Sequence, residues 1–385
     1  MALADKKVVV VVPIYKNALD EYEKISLIQM LNVLERQEIC FVLPESLNMP
    51  IDTGKRHVER FLDCYFTSTE SYSRLLMSEE FYKRFIEYEY MLICQLDVFV
   101  FEDKTAYFCG LGYDYIGAPW LAGYTEYNML KRNVLHVGNG GFSLRNVESC
   151  LKMVAQKNEL YNYFSNRNED VFFSACDGSD FSVAPLDIAL SFSFEREVRR
   201  CYELNQNKLP FGCHAWQKYD LEFILPHIKK YGYDVNDLNI NNGIEDKKNV
   251  AEYDWLYRCS CLFEDNELFD SLPSKISCML ETETKSHLYL WGAGYWGICI
   301  RRILNDLGVR VHGYIDGNER IQGSMVENIA VSSPDVIDAN SKIIVSTDRK
   351  HYGDITKQLN DLGLIPYKDY ILWEDLLPKG TRNYE

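Results

Sequence analysis

The sequence has no apolar run of about 18 residues that could span a bilayer, and no low-complexity tract. Its start lacks the apolar segment and small-residue cleavage site of a signal peptide, because Met1–Lys7 passes directly into the valine run Val8–Val12, which Pro13 ends. Hydrophobic residues make up 47% and charged residues 25% of the 385 residues, which is typical of a globular protein. We expect a soluble, cytoplasmic protein whose first strand is buried.

Paired cysteine spacings of the kind that hold structural zinc are also missing. The twelve cysteines are scattered, and Cys259 and Cys261 are too close together for the usual pattern. In a cytoplasmic protein such cysteines remain reduced. The sequence therefore predicts mostly buried free thiols.

Dense basic runs are absent. Lysine and arginine total 41 against 57 aspartate and glutamate residues, so the net charge is −16. Nucleic-acid binding needs clustered cations to neutralise phosphates, so nucleic acid is excluded as the expected partner. The same charge argues against strong adsorption to acidic lipid, and it leaves only a local basic or aromatic patch for peripheral membrane contact.

Apolar, β-rich runs alternate with segments of helical spacing in the first part of the chain. Strands are predicted at Val8–Val12, Ile39–Leu43 and Met91–Phe101, and helices at 19–34 and 79–90. This alternation is typical of an α/β domain with parallel strands, whose ligands bind at the carboxyl ends of the strands. Pro13 and Tyr15 follow the first strand, so we expect them beside a nucleotide.

Composition and length divide the chain into three parts. Residues 1–220 are predicted to form an α/β domain with a mixed sheet, 221–284 an acidic helical connector, and 285–385 a small parallel α/β domain of the Rossmann type.

The third part carries a glycine fingerprint. A strand, His287–Trp291, runs into Gly292-Ala-Gly294-Tyr-Trp-Gly297, and a second strand ends at Asp316, about 20 residues beyond the middle glycine. In that pattern the first glycine permits a tight turn, the second lets the backbone approach a phosphate, and the third lets helix and strand pack. Three roles are open for this domain: structure and homo-oligomer assembly, binding of a nucleotide or nucleotide-sugar, and dinucleotide-dependent redox chemistry.

The chemistry expected of the first domain depends on polar residues in apolar surroundings. Asp97 interrupts the apolar run Tyr90–Phe101, and a buried carboxylate needs a cation, a hydrogen-bond network or a ligand. Three glycines in four residues, Gly138-Asn139-Gly140-Gly141, indicate a backbone pressed against a ligand. The alternatives are a carboxylate satisfied by backbone N–H groups and a tight turn between strands.

Two adjacent carboxylates, Glu169 and Asp170, precede the apolar residues Val171–Phe173. Such a segment can bury its apolar side and present the acids to a cleft, where one could act as a general base. The alternative is a solvated pair favoured by a helix N-terminus.

The ordered set of these motifs resembles bacterial GT-A-type glycosyltransferases of polysaccharide assembly, and among them the galactofuranosyltransferase-like family. The similarity covers about residues 7–218. It is carried by the segments Gln95-Leu-Asp97, Asp114-Tyr-Ile-Gly-Ala-Pro-Trp120, Gly138–Arg145, Asn168-Glu-Asp170 and Phe211-Gly-Cys-His214.

The resemblance implies transfer of a hexose, with galactose in furanose or pyranose form favoured, from a UDP-sugar to a growing O-antigen or capsule glycan. The acceptor could be lipid-linked, at the inner face of the cell membrane. Inverting chemistry with a carboxylate base and a Mn²⁺ or Mg²⁺ ion is implied, and no organic cofactor.

The resemblance also assigns residues. Asp170 would be the base, with Glu169 beside it; Asp97 and His214 would bind metal. Gln95 stands where the family's motif has its first acid, which weakens the metal prediction. The predicted donor-binding residues are Pro13, Tyr15, Gln95, Asp97 and Arg145, where Arg145 pairs with phosphate or orients an acid; the predicted sugar-binding residues are Trp120, Asn139, Gly140, Gly141 and Trp216.

Two other functions remain open from the sequence. Gln95 could mark a lost metal site in a non-catalytic protein that binds carbohydrate or nucleotide-sugar. An NAD-dependent oxidoreductase built on Gly292–Gly297 is the weaker alternative, because no Tyr-x-x-x-Lys or comparable proton-transfer set follows the fingerprint.

Overall fold

A computed structural model of the chain describes residues 7–379, apart from 53, 55, 129–130, 166–167, 236–237, 239–242 and 283–284. The chain forms two compact units: Met1–Leu121 with Leu135–Ala251, and Ala122–Val134 with Glu252–Glu385. Most of the described residues between 221 and 284, predicted as a connector, are helical, and the boundary between the two units falls after Ala251.

The strands are β1 Val8–Pro13, β2 Glu38–Pro44, β3 His57–Phe61, β4 Tyr90–Cys94, β5 Phe99–Val100, β6 Tyr115–Ile116, β7 Ala118–Asn128, β8 Lys131–Gly138, β9 Phe142–Asn146, β10 Ser193–Phe194, β11 Gly212–Cys213, β12 His287–Trp291, β13 Gly313–Ile315, β14 Met325–Val326, β15 Ile329–Ser332, β16 Ser341–Val345 and β17 Tyr370–Leu372. The helices are α1 Glu21–Val33, α2 Thr69–Leu76, α3 Glu79–Arg84, α4 Thr105–Leu111, α5 Val147–Ala155, α6 Glu159–Phe164, α7 Glu169–Ala175, α8 Leu186–Phe192, α9 Val198–Leu204, α10 Leu221–Lys229, α11 Glu245–Glu264, α12 Asn266–Asp270, α13 Leu272–Met279, α14 Tyr295–Asp306, α15 Tyr352–Asp361 and α16 Trp373–Leu376.

The first unit is built on a six-stranded mixed sheet in the order β3-β2-β1-β4-β9-β6. β1 pairs in parallel with β2 and β4, whereas β9 runs antiparallel to β4. Every residue of β1 is buried. A parallel strand that is covered on both faces has no solvent-facing side, which is why its sequence is a continuous apolar run. The predicted mixed α/β architecture is confirmed.

Two element predictions in this unit need correction. The helix predicted over 79–90 ends at Arg84, and Tyr90 already belongs to β4. The strand predicted over Met91–Phe101 is two strands, β4 and β5, because the chain turns between them, where the Val98 N–H donates to the Gln95 carbonyl at 3.1 Å. Asp97 therefore lies in a turn at a strand end, where its carboxylate is 29% exposed.

The second unit contains a sheet in the order β14-β15-β13-β12-β16-β17. All its pairs are parallel except the β14–β15 hairpin. The predicted small parallel α/β domain is thus confirmed as a fold. The unit also includes residues 122–134 of the β7–β8 hairpin, and the Ser260 hydroxyl donates to the Ala122 carbonyl at 2.8 Å.

All twelve cysteines are free thiols, and most are buried, as predicted. None of the helices in the described part of the chain is both long and apolar enough to cross a membrane.

Candidate active site

A pocket of about 410 Å³ opens at the carboxyl ends of β1 and β4 in the first unit. We call it the β1–β4 pocket. Its lining includes Pro13 and Tyr15 after β1, Gln95 after β4, and Thr67–Thr69 at the start of α2. Tyr15 is 56% exposed, and burial of its hydroxyl together with the nearby Asp97 raises its pKa. Three predicted donor-binding residues therefore meet at one pocket.

The glycine-rich segment lies next to Gln95 because of sheet direction. β9 is antiparallel to β4, so the residue before β9 meets the residue after β4. The Gln95 N–H donates to the Gly141 carbonyl at 2.9 Å, and the Asn139 side-chain oxygen accepts from the Gly141 N–H at 2.9 Å. Asn139 adopts a left-handed φ of 78° and is 2% exposed.

Close approach explains the two glycines that follow Asn139. A Cβ on Gly140 would lie 2.0 Å from the Glu169 carboxylate, and a Cβ on Gly141 would lie 2.1 Å from Nε2 of His214. Both distances are far below van der Waals contact. The loop is glycine-rich because the side chains of Glu169, at the start of α7, and His214, after β11, lie against its backbone.

Glu169 is held by a buried network. Its carboxylate accepts from Arg145 at 3.0 Å and from the Ser73 hydroxyl at 2.7 Å. Arg145 is fully buried and is also hydrogen-bonded to Ser143 and Tyr82. The predicted contact of Arg145 with a donor phosphate is therefore corrected, because a fully buried guanidinium has no surface for a ligand. Arg145 instead orients the Glu169 carboxylate, which is the alternative role predicted for it.

Asp170 has a different environment, although it is the adjacent residue. Its carboxylate accepts only from backbone N–H groups in the hydrogen bonds found among described residues: Asn139 at 3.1 Å and Val171 at 2.8 Å. Burial, and then the negative charges of Glu169 and Glu195, raise its pKa to about 7. A carboxylate with a pKa near neutrality can exchange a proton at physiological pH.

Asp97, Glu195 and His214 form a second charged cluster. Glu195 follows β10 and His214 follows β11, which is parallel to β10, while Asp97 precedes β5, which is antiparallel to β11. Strand direction therefore brings all three to one edge of the small sheet β10-β11-β5. Nε2 of His214 lies 3.3 Å from Asp97, and Nδ1 lies 3.3 Å from Glu195.

The charges of this cluster depend on one another. Burial lowers the pKa of His214, but the two flanking carboxylates raise it well above the ordinary value. Burial raises the pKa of Asp97, but His214 brings it below the ordinary value. Glu195 behaves in the same way as Asp97. An imidazolium between two carboxylates is thus the state that this cluster favours.

The predicted metal ligands, Asp97 and His214, offer two of the several ligand atoms that a divalent cation needs. The facing atoms, Asp97 Oδ1 and His214 Nε2, are buried, and neither makes an aligned hydrogen bond to a described residue. The Asp97 oxygen, and Nε2 of His214 once it has lost its proton, could each donate an electron pair to a cation whose other ligands are diphosphate oxygens and water, as is common for Mg²⁺. No group of three or more His, Cys, Asp or Glu side chains suited to a metal occurs among the described residues.

Two predicted sugar-binding aromatics are placed by packing. Trp216 is 1% exposed, its indole N–H donates to the Ser26 hydroxyl at 2.8 Å, and its ring packs edge-on against Phe99. The prediction that Trp216 contacts a sugar is therefore wrong, because the ring is part of the core. Trp120 lies over the backbone of Gly138, where a Cβ would be 1.9 Å from its ring.

Sequence reasoning missed several residues of this region. Glu195 is not among the predicted site residues, although its position after a short apolar strand, like that of Asp97 after β4, is a signal that the sequence offers. Ser73 and Thr67–Thr69 lie on or before α2, which carries no motif. Only the fold brings them to the site.

The fingerprint residues of the second unit lie together in a different pocket. Gly292, Gly294 and Asp316 line a pocket of about 620 Å³ at the carboxyl ends of β12, β13 and β16. We call it the β12–β16 pocket. Gly297 lies behind it, where a Cβ would be 1.9 Å from the Gly292 carbonyl oxygen.

Comparison with known proteins places a family match over the first of these sites. Residues 55–214 match a family described as protein of unknown function, DUF5672, a range that contains Gln95, the glycine loop, α7 and His214. No match was found among curated proteins.

Solved structures give weak likenesses. A glycosyltransferase involved in the glycosylation of the major capsid of PBCV-1 is 12% identical with a TM-score of 0.33, and the likeness covers 58% of this chain and 98% of that one. The galactosyltransferase LgtC in complex with donor and acceptor sugar analogues is 13% identical with a TM-score of 0.33, over 54% of this chain and 86% of that one. Similarity at this level does not bear on activity.

Proposed function

We propose that the first unit is an inverting glycosyltransferase that moves a hexose from a UDP-sugar to a hydroxyl of a growing bacterial surface glycan. The observation that carries the proposal is the contrast between Glu169 and Asp170. Arg145 and Ser73 hold Glu169, whereas Asp170 has backbone donors and a pKa of about 7. Asp170 is therefore the carboxylate suited to accept the acceptor's proton.

In this proposal the β1–β4 pocket takes the donor's nucleotide part. Tyr15 supplies a flat, exposed ring, and the start of α2, with Thr67–Thr69, supplies hydroxyl groups and a helix N-terminus for the diphosphate. Galactose, as furanose or pyranose, remains the favoured sugar from the sequence resemblance alone.

The reaction balances as a single displacement. Asp170 takes the proton from the acceptor hydroxyl, whose oxygen forms a bond to the anomeric carbon while the bond to the diphosphate breaks and UDP leaves with the electron pair. Asp97 and His214 would hold Mg²⁺ or Mn²⁺, which when bound neutralises charge on the leaving diphosphate. Holding the ion would require His214 to be neutral, so metal binding would compete with the proton that the flanking carboxylates favour on its imidazole.

The test measures UDP release from a panel of UDP-sugars with Mn²⁺, with Mg²⁺ and with chelator. Asp170→Asn should lower the rate of UDP release by a factor of about 10²–10⁴ and leave the affinity for UDP nearly unchanged. Asp97→Ala should lower both the rate and the affinity. Asp180→Asn is the matched control, because its carboxylate is 71% exposed and, among the described residues of the first unit, forms an ion pair only with Lys152.

Each other outcome changes the assignment. Full activity of Asp170→Asn would remove the base from this position. Tight UDP-sugar binding by the wild type without turnover would favour a non-catalytic nucleotide-sugar binding protein. The presence of Gln95, where the family's motif has an acid, is consistent with that alternative. Absence of binding would overturn the donor site.

A further inference from the structure

The β12–β16 pocket lies where open parallel sheets bind ligands. In chain order the parallel strands are β12, β13, β15, β16 and β17, and their order across the sheet is third, second, first, fourth, fifth. From β12 the chain adds β13 and β15 toward one edge of the sheet, and it then adds β16 and β17 toward the other edge. The order of the strands therefore reverses between β12 and β16. Nucleotides bind in the crevice at the carboxyl ends of the strands at such a switch point.

Two of the three fingerprint glycines have structural reasons for being glycine. Gly292 has a φ of 116°, and a Cβ there would lie 2.5 Å from Cγ2 of Thr347. Gly297 brings α14 against the end of β12, so a Cβ would strike the Gly292 carbonyl at 1.9 Å. Turn and packing account for both.

Gly294 has no such reason. Its φ of −82° and ψ of −164° are open to any residue, and a Cβ built on it meets nothing within 4 Å. It is the N-cap of α14, a position where Ser, Thr or Asp would cap the helix with a side-chain oxygen, yet no side-chain cap is present. The missing side chain leaves the N-terminus of α14 open to the pocket, as an approaching phosphate requires.

Asp316 is the lining carboxylate that the backbone around Gly294 orients. One carboxylate oxygen accepts from the Ala293 N–H at 3.0 Å and the other from the Asn318 N–H at 2.9 Å. Each oxygen has a second lone pair, which can accept from a ribose hydroxyl. The carboxylate is thus oriented before any ligand binds.

The charge of the pocket selects among nucleotides. Its lining contains the carboxylates of Asp316, Asp348 and Asp354, with His351 as the basic side chain and neither lysine nor arginine. A phosphate on the ribose 2′-oxygen would face the Asp316 carboxylate, and none of the described lining residues is a lysine or an arginine that could pair with it. The lining charge therefore favours a free 2′-hydroxyl over a 2′-phosphate.

We propose that the β12–β16 pocket is a second nucleotide site, which binds a ribonucleoside 5′-diphosphate group with a free 2′-hydroxyl. Both NAD⁺ and UDP carry this group. The diphosphate lies at the N-terminus of α14 beside Gly294, and the ribose hydroxyls donate to Asp316. The proposal does not depend on the activity of the first unit.

The experiment is calorimetric titration of the full chain carrying Asp97→Ala, which weakens the proposed site of the first unit. NAD⁺, UDP and NADP⁺ are the probes, and Gly294→Ala and Asp316→Asn are tested in that background. Gly178→Ala is the matched control, since its Cβ meets only the Cys176 carbonyl oxygen, at 3.8 Å. Unfolding curves establish that each variant is folded.

We expect NAD⁺, UDP or both to bind, and Gly294→Ala to weaken that binding by about tenfold through loss of charged hydrogen bonds, while Gly178→Ala leaves it unchanged. NADP⁺ should bind about tenfold more weakly than NAD⁺, and Asp316→Asn should narrow that difference. Binding of NAD⁺ alone identifies a dinucleotide site, and binding of UDP alone a nucleotide or nucleotide-sugar site.

The proposal is overturned if neither NAD⁺ nor UDP binds to the Asp97→Ala chain, or if Gly294→Ala binds as well as Gly178→Ala. Failure here is distinct from failure of the proposed transferase. UDP release by that activity depends on Asp97 and Asp170 and should be unaffected by Gly294→Ala.

Discussion

Two adjacent carboxylates of α7 differ in their partners. Glu169 pairs with the buried Arg145, so its charge is compensated. Asp170 is stabilised by two backbone N–H groups and faces the charges of Glu169 and Glu195. Burial without a cation is what separates a base that titrates near neutrality from a structural acid.

The first prediction concerns the pH dependence of activity. A base must be deprotonated, so kcat/KM should rise with pH through about 7, the pKa of Asp170. Glu195→Gln removes one of the charges that raise this pKa and should move the rising limb to lower pH. The measurement is UDP release between pH 5 and 9, with Asp180→Asn as control. A limb that stays in place would show that Asp170 is not the group observed.

The second prediction concerns stability at the same residue. The folded pKa of about 7 lies above the value of about 3.9 for an unfolded aspartate, so the folded state binds the extra proton. Its stabilising contribution is complete below about pH 4 and is lost as pH rises through about 7.

Asp170→Asn should therefore be more stable than the wild type at pH 8, by about 1–3 kcal/mol, with the difference vanishing near pH 4, where the protonated acid resembles the amide. Urea unfolding at both pH values measures this. A variant that is less stable than the wild type at pH 8 would contradict the assigned pKa direction.

At the scale of elements, the glycine loop between β8 and β9 is shaped by the side chains pressed against it. Glu169 is fixed by Arg145 and Ser73 and cannot move away from a new methyl group. Gly140→Ala, whose Cβ would lie 2.0 Å from that carboxylate, should lower the free energy of unfolding by about 1–3 kcal/mol. Gly178→Ala, in open space, should change it by less than about 0.5 kcal/mol. Equal stabilities of the two variants would mean that the loop yields easily.

Periodicity and apolar runs predicted five strands of the two large sheets, β1, β2, β4, β12 and β13. The valine run of β1 and the apolar run of β2 are short and continuous, which predicts buried strands. By contrast, β3 has the sequence His-Val-Glu-Arg-Phe and is partly exposed at an edge, so its polar residues conceal it. Tertiary pairing with β2, rather than local pattern, makes it a strand.

The candidate site was predictable where motifs are local. Asp97, the glycine loop and the pair Glu169 and Asp170 were singled out from their chain neighbours, whereas the choice of Asp170 as the base came from the family resemblance. Glu195 could not be linked to Asp97, because they are far apart in sequence and meet only through the order β10-β11-β5. Burial misled the prediction at Arg145 and Trp216, since the sequence cannot show that a guanidinium or an indole is completely enclosed.

At the scale of the whole molecule, the two units do not follow the chain as continuous blocks. Residues 122–134 lie within the sequence of the first unit but belong to the second. Val134 packs against the core of the second unit that contains Leu304, and Ser260 is hydrogen-bonded to Ala122. Stability should therefore be shared between the hairpin and residues distant in sequence.

Hydrogen exchange of core variants tests this division. Leu304 is fully buried in α14, so Leu304→Ala should destabilise the second unit by about 2–5 kcal/mol. Exchange should increase in residues 252–282 and 285–379 and also in 122–128 of the hairpin, while β1 and β4 keep their protection. Leu92→Ala, equally buried in β4, should have the opposite pattern. If residues 122–128 instead lose protection with Leu92→Ala, the hairpin's stability comes from the first unit. Those residues would then have to be assigned to the first unit.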